Sequence, residues 1–264
     1  MIPMLRWELL RRRFMMLGWS LGLIAMVALT VLSYGAVRDQ SAELNKALGE
    51  MSSEVGAFVG TSDMFSPVGY MNSQLYFITL PILFIILAVT LANSLLGKEE
   101  NGGTLETVLA RPISRTRLIA AKALGGITVM LIITAVTAAT VIACALGTDL
   151  GIATERLLLA TFATGIFSAA FGAITFMLLA ANTFTRKMAV VVALVFSLGS
   201  YLITSLSSMV DWLEWPSKLL PYHYYDTGAI LEGHVPLGFV LYTLGIFVVA
   251  AIVSVIGFRR RDIA

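Results

Sequence analysis

Residues Leu75–Leu96 read LYFITLPILFIILAVTLANSLL, 22 residues without a Lys, Arg, Asp or Glu. The hydrocarbon core of a bilayer offers no water to backbone N–H and C=O groups. A helix pairs those groups internally, so an apolar run of about 20 residues can cross it. Outward from this stretch lie five more such runs, at roughly 14–37, 123–147, 157–181, 188–210 and 237–258, and none holds a charged side chain. The pattern predicts an all-α membrane protein with six transmembrane helices in one transmembrane domain, residues 1–264. Composition points the same way. Only 13% of the chain is charged and 58% is hydrophobic, whereas soluble domains carry about 25% charged residues. The mean hydropathy is +0.88.

The first run follows Arg11, Arg12 and Arg13, as a signal peptide's would. Its apolar stretch exceeds the roughly 7–15 residues of a signal core, and no small-x-small cleavage site follows, so it reads as a retained span. Charge sets the orientation, because Lys and Arg accumulate in cytoplasmic segments. Of the 18 such residues, 14 fall in one alternating set of segments, and only Arg38, Lys46, Arg156 and Lys218 fall in the other. Both termini are therefore expected in the cytoplasm of a multi-pass cell-membrane protein. The net charge of +2 hides this asymmetry and gives no reason to expect nucleic acid as a partner. The basic clusters Arg11–Arg13 and Arg259–Arg261 read as anchors against anionic lipid of the bilayer. The single cysteine, Cys144, reads as a small apolar filler in the third span.

The outer segments differ in character. In 38–73, Leu44, Leu48, Met51, Val55 and Phe58 recur at helical spacing. They suggest an amphipathic helix that either caps the span ends or senses substrate. Residues 148–156 form a short connector. Residues 211–236 hold Trp212, Trp215, Tyr222, Tyr224 and Tyr225 among Pro216, Pro221 and Pro236. Aromatic rings with polar tips belong at the headgroup level, and the prolines divide the segment into short interfacial or re-entrant pieces. His223 and His234 have no zinc-type spacing. In the fourth span, Gly165, Ala169 and Ala173, with Ser168 and Gly172, leave room for a close helix neighbour. The contact is a dimer seam, a moving interface, or packing inside one bundle. Pro81 is expected to bend the second span.

Several chemistries lack their motifs. The chain contains no Gly-x-x-x-x-Gly-Lys-Ser/Thr phosphate loop, no Gly-x-Gly-x-x-Gly, no Cys-x-x-Cys and no His-Glu-x-x-His. A membrane protease built on Glu99 and Glu100 would need histidines at the same depth, yet both histidines are expected on the opposite side. The spans offer only neutral polar groups such as Asn93, Ser168, Ser197 and Ser200, where ion-coupled carriers usually place ionisable ones.

The informative loop is Gly97–Lys122, GKEENGGTLETVLARPISRTRLIAAK. Gly102 and Gly103 are expected to stop the extension of span two. Thr104 is a good helix N-cap, and Glu106 sits in the first turn, where the helix dipole favours an anion. Leu105, Val108 and Leu109 share one face, Pro112 ends the segment at Arg111, and Ser114 can cap the next helix through Arg115 and Arg117. A helix of about two turns is not stable alone in water, so its apolar face must pack on the protein, on lipid or on a partner.

This stretch resembles the permease subunits of type-2 ABC exporters, the ABC-2 permease family. The resemblance lies in an acidic Glu99 or Glu100, Gly103-Thr104-Leu105-Glu106, Val108-Leu109, Pro112-Ile113-Ser114-Arg115, and Lys122 before span three. The six-span plan, the basic N-terminus, Leu220-Pro221-Tyr222 and the closing Phe258-Arg259-Arg260-Arg261-Asp262-Ile263 are similar as well. The resemblance implies that Thr104–Ala110 is a coupling helix docking on a separate ABC ATP-binding subunit, with Glu99, Glu100, Pro112, Ser114 and Arg115 around it. It implies a second permease copy or paralogue to complete the pathway. It also implies that the chain is no ATPase and binds no cofactor itself, with ATP and Mg on the partner subunit. The other readings are a membrane signalling or assembly subunit without a transport cycle, and a secondary transporter.

Overall fold

The computed structural model describes residues 8–39, 66–101, 115–148 and 150–260, with the backbone alone at 97–101, 115 and 260. Among these residues stand six helices long and apolar enough to cross a membrane: Arg13–Asp39, Pro67–Leu96, Thr116–Leu146, Thr154–Ala180, Arg186–Leu206 and Leu237–Arg259, here spans 1 to 6. No strand occurs among the described residues. Most of the amphipathic outer segment, residues 40–65, lies outside them.

Span 4 is the centre of the bundle and packs against spans 2, 3, 5 and 6. Its small residues explain how. A Cβ added at Gly172 would lie 2.9 Å from the Ala88 Cβ and 3.1 Å from the Ala88 carbonyl oxygen of span 2. One added at Gly165 would lie 2.6 Å from Thr134 Oγ1 of span 3. These two glycines thus serve packing within one bundle. Ser168 Oγ donates to the Pro81 carbonyl at 3.4 Å, and Thr161, Thr164 and Thr175 return their hydroxyl protons to carbonyls one turn back. Span 1 packs chiefly on span 3 and turns Phe14, Leu17, Leu21 and Leu29 outward, as a lipid-facing helix does.

Span 2 starts earlier than its apolar run. Ser66 Oγ accepts from the Gly69 N–H at 3.0 Å and caps a helix Pro67–Met71, with proline in its first turn. A π-helical turn, Asn72–Tyr76, follows, and α-helix resumes over Thr79–Asn101. Pro81 has no N–H for the carbonyl four residues back, and the irregular stretch falls there, just ahead of the proline.

Between spans 5 and 6 the chain forms a 3₁₀ turn at Asp211–Leu213 and three short helices, Glu214–Ser217, Pro221–Tyr224 and Thr227–Leu231. Trp212 and Trp215 are exposed, while Tyr222, Tyr225, Ile230 and Leu231 are buried. The segment therefore dips into the bundle and carries its two tryptophans outside.

Candidate functional site

Two polar clusters occupy opposite ends of the bundle. The first surrounds the re-entrant segment. Thr227 Oγ1 donates to Asn72 Oδ1 in the π-helical turn, and both residues are buried. Tyr76 reaches Thr161 Oγ1 at 2.8 Å, and the Tyr222 N–H donates to Ser200 Oγ at 3.1 Å. The Tyr222 ring meets Phe167 edge-on, 4.8 Å between centroids, and Tyr201 at 5.6 Å. Buried polar groups need such partners, because an unpaired one costs about 1–3 kcal/mol. The Tyr222 hydroxyl and Thr204 Oγ1 are buried without a hydrogen-bond partner among the described residues. His223 is exposed, with Nδ1 3.3 Å from Ser217 Oγ, and His234 is exposed as well.

The second cluster gathers basic side chains where span 2 nears its C-terminal end. Arg12 sits at the N-cap of the helix Arg13–Leu32. Its Nε pairs with Glu8 Oε2 at 3.1 Å, and its Nη1 donates to Ser94 Oγ. Lys122 Nζ donates to the Leu95 carbonyl at 2.6 Å. Arg186 donates from Nε to Asn93 Oδ1 at 3.3 Å and from Nη2 to the Asn93 carbonyl at 3.5 Å. Two glycines of span 3 allow this convergence. A Cβ on Gly125 would touch the Glu8 side chain at 3.7 Å, and one on Gly126 would lie 2.8 Å from Leu95 Cδ1.

The arrangement corrects one reading of the basic N-terminus. Arg11 and Arg13 are exposed, and Arg13 lies 4.8 Å over the Phe14 ring, but Arg12 is buried and turned toward span 2. An arginine so placed is a packing and hydrogen-bonding element rather than a lipid anchor. The convergence of Arg12, Lys122 and Arg186 on span 2 goes beyond the charge asymmetry. Two signals for it were present. Glu8 stands four residues before Arg12, the spacing of a helical ion pair. Gly125-Gly126 follows Lys122 closely inside an apolar run.

Three of the residues expected to couple to an ATPase, Glu99, Glu100 and Arg115, fall among the described residues. Glu99 and Glu100 lie on the backbone of the helix that continues span 2 to Asn101, and Arg115 opens the helix Arg115–Leu146. Gly103, Thr104, Leu105, Glu106, Val108, Leu109, Pro112 and Ser114 fall outside the described residues. The two helix ends that carry the segment are thus in view, and the basic cluster stands at their base.

No curated protein and no solved structure matches the chain. A family model described as ABC-2 family transporter protein matches residues 8–224. The match takes in spans 1 to 5, the basic cluster, the segment between spans 2 and 3, and the re-entrant turn as far as Tyr224. Six apolar helices and a family match over most of the length agree: the chain is a multi-pass membrane permease belonging to the ABC-2 family of ABC transporters.

Proposed function

We propose that this permease forms half of the membrane part of an ATP-driven exporter in the cell membrane. A second copy or a paralogue completes the pathway, and separate ABC ATP-binding subunits dock on the cytoplasmic side, where both termini lie. Those subunits hold ATP and Mg, and the permease adds no catalytic residue to hydrolysis. The helix Thr104–Ala110 enters a groove of the ATPase through Leu105, Val108 and Leu109. Thr104 and Glu106 fix its start, and Glu99, Glu100, Gly103, Pro112, Ser114 and Arg115 shape its flanks. Closure of the ATPases on ATP draws the two coupling helices together and rocks the bundles, switching access from one side to the other.

The observation that carries this reading is the family match over residues 8–224, a range that includes Gly97–Lys122, where the Gly-Thr-Leu-Glu and Pro-Ile-Ser-Arg patterns lie. The direct test is affinity purification of the tagged chain from its native membranes. An ABC ATP-binding subunit should be retained, and the complex should hydrolyse Mg-ATP in a vanadate-sensitive way. A chain that retains no such subunit fits a signalling or assembly protein instead.

A further inference from the structure

Three cations from three parts of the chain close on three consecutive residues of span 2. Arg12, at the start of span 1, bonds Ser94. Lys122 of span 3 bonds the Leu95 carbonyl, and Arg186, at the start of span 5, bonds the side chain and carbonyl of Asn93. The helix then runs on to Asn101, and residues 102–114 follow. A displacement of that segment reaches the bundle through the ends of spans 2 and 3, and on span 2 it passes through the turn of helix that these side chains grip.

The three contacts differ in strength. Arg12 and Lys122 are 8% and 4% exposed. A buried cation that loses its partner is strongly destabilised, so these two fasten spans 1 and 3 to span 2. Gly125 and Gly126 hold the same three elements at close range. The Arg186 bonds are longer, at 3.3 and 3.5 Å, and both partners are half-buried. Water can replace them at low cost. They join span 5 to the rest.

We propose that Asn93–Leu95 is the transmission point between the 97–114 segment and the bundle. Arg12 and Lys122 make spans 1 to 3 move with that segment as one body. The Arg186–Asn93 contact breaks and re-forms as span 5 shifts against it. The inference rests on the ATPase-coupled reading and names its positioning residues. They touch neither nucleotide nor solute and act through span 2.

The test uses the permease with its ATP-binding subunit in lipid nanodiscs. Cys144→Ala removes the native thiol, and Gln74→Cys places one at an exposed position near the other end of span 2. The readout is the rate of thiol labelling with and without ATP plus vanadate, set beside ATP turnover. In the parent, trapping should change the labelling rate. Lys122→Met and Arg186→Ala should lose about 5-fold or more of that change while turnover stays within about twofold, the range expected for residues that carry coupling. Lys122→Arg and Arg186→Lys should restore it. The proposal is overturned if both loss variants keep the parental response, or if turnover falls in step with it, as a purely structural role requires. Should Lys122→Met not fold, the half-buried Arg186→Ala decides by the same criterion. A parent that retains its ATPase but shows no labelling response also overturns the transmission point. A parent that retains no ATPase refutes the underlying reading, and this role with it.

Discussion

The Tyr225 ring lies flat on Phe167, with centroids 4.0 Å apart and planes 7° apart. Its hydroxyl donates to the Tyr76 carbonyl at 3.0 Å and meets Thr164 Oγ1 at 2.7 Å. A residue between spans 5 and 6 is thereby pinned to spans 2 and 4 at once. Thr164 also faces the Ala160 carbonyl at 2.7 Å, so two hydroxyl protons serve three contacts. The re-entrant segment is held by shape as much as by hydrogen bonds.

Tyr225→Phe keeps the stacked ring and removes the hydroxyl, so it should cost about 1 kcal/mol, the net value of a typical buried hydrogen bond. Tyr225→Ala also removes the ring and should cost about 3–5 kcal/mol, as large core truncations do. Thermal unfolding of the purified protein in one fixed detergent, with both variants side by side, checks the order. Equal losses for the two would mean that the stack on Phe167 contributes nothing.

Gly172 and Gly199 make a matched pair. A Cβ at Gly172 meets the Ala88 backbone, while one at Gly199 meets nothing within 4 Å. Gly172→Ala should force spans 2 and 4 apart and destabilise by about 1–3 kcal/mol, the usual range for overpacking. Gly199→Ala should leave the midpoint of unfolding where it is or raise it, since alanine favours helix. A tolerated Gly172→Ala would contradict the close crossing of spans 2 and 4.

What the sequence makes legible follows from what hydropathy measures. The six spans show as uncharged runs because lipid excludes charge. The start of span 2 does not, since Asn72, Ser73 and Gln74 look water-facing while Asn72 is only 2% exposed and bonded to Thr227, 155 residues away. Its partner comes from tertiary structure, and no local pattern carries that. Among the three consecutive arginines, the Glu8 spacing alone points to Arg12, and nothing local shows that Ser94 is its second partner. Arg12 turns inward because Glu8 and Ser94 meet it there. The paired small residues of span 4 were readable as a close contact, but the identity of the neighbour needed the packed bundle. The coupling pattern stands in the sequence alone, as the described residues stop at Asn101 and resume at Arg115.

Orientation has its own test. The distribution of Lys and Arg predicts Lys187 in the cytoplasm and Lys218 outside. Both are exposed at their ends of the bundle. In a Cys144→Ala background, an impermeant thiol reagent applied to intact cells should label Lys218→Cys and spare Lys187→Cys until the membrane is opened. The reverse pattern would invert the topology and put the coupling segment on the wrong side for ATP.

The central claim is that Thr104–Ala110 docks on an ATPase. On the proposed coupling helix, Leu105 and Leu109, four residues apart in sequence, would share one face, which Leu105→Ala with Leu109→Ala would empty. Truncating anchors at a docking contact costs about 2 kcal/mol or more each. The measurement is co-purification of the ATP-binding subunit with the tagged double variant, compared with the parent at equal permease yield. The account predicts a folded, membrane-inserted permease that loses most of its ATPase. A double variant that retains the ATPase at the parental level, with parental ATP turnover, would contradict it and leave the segment a linker.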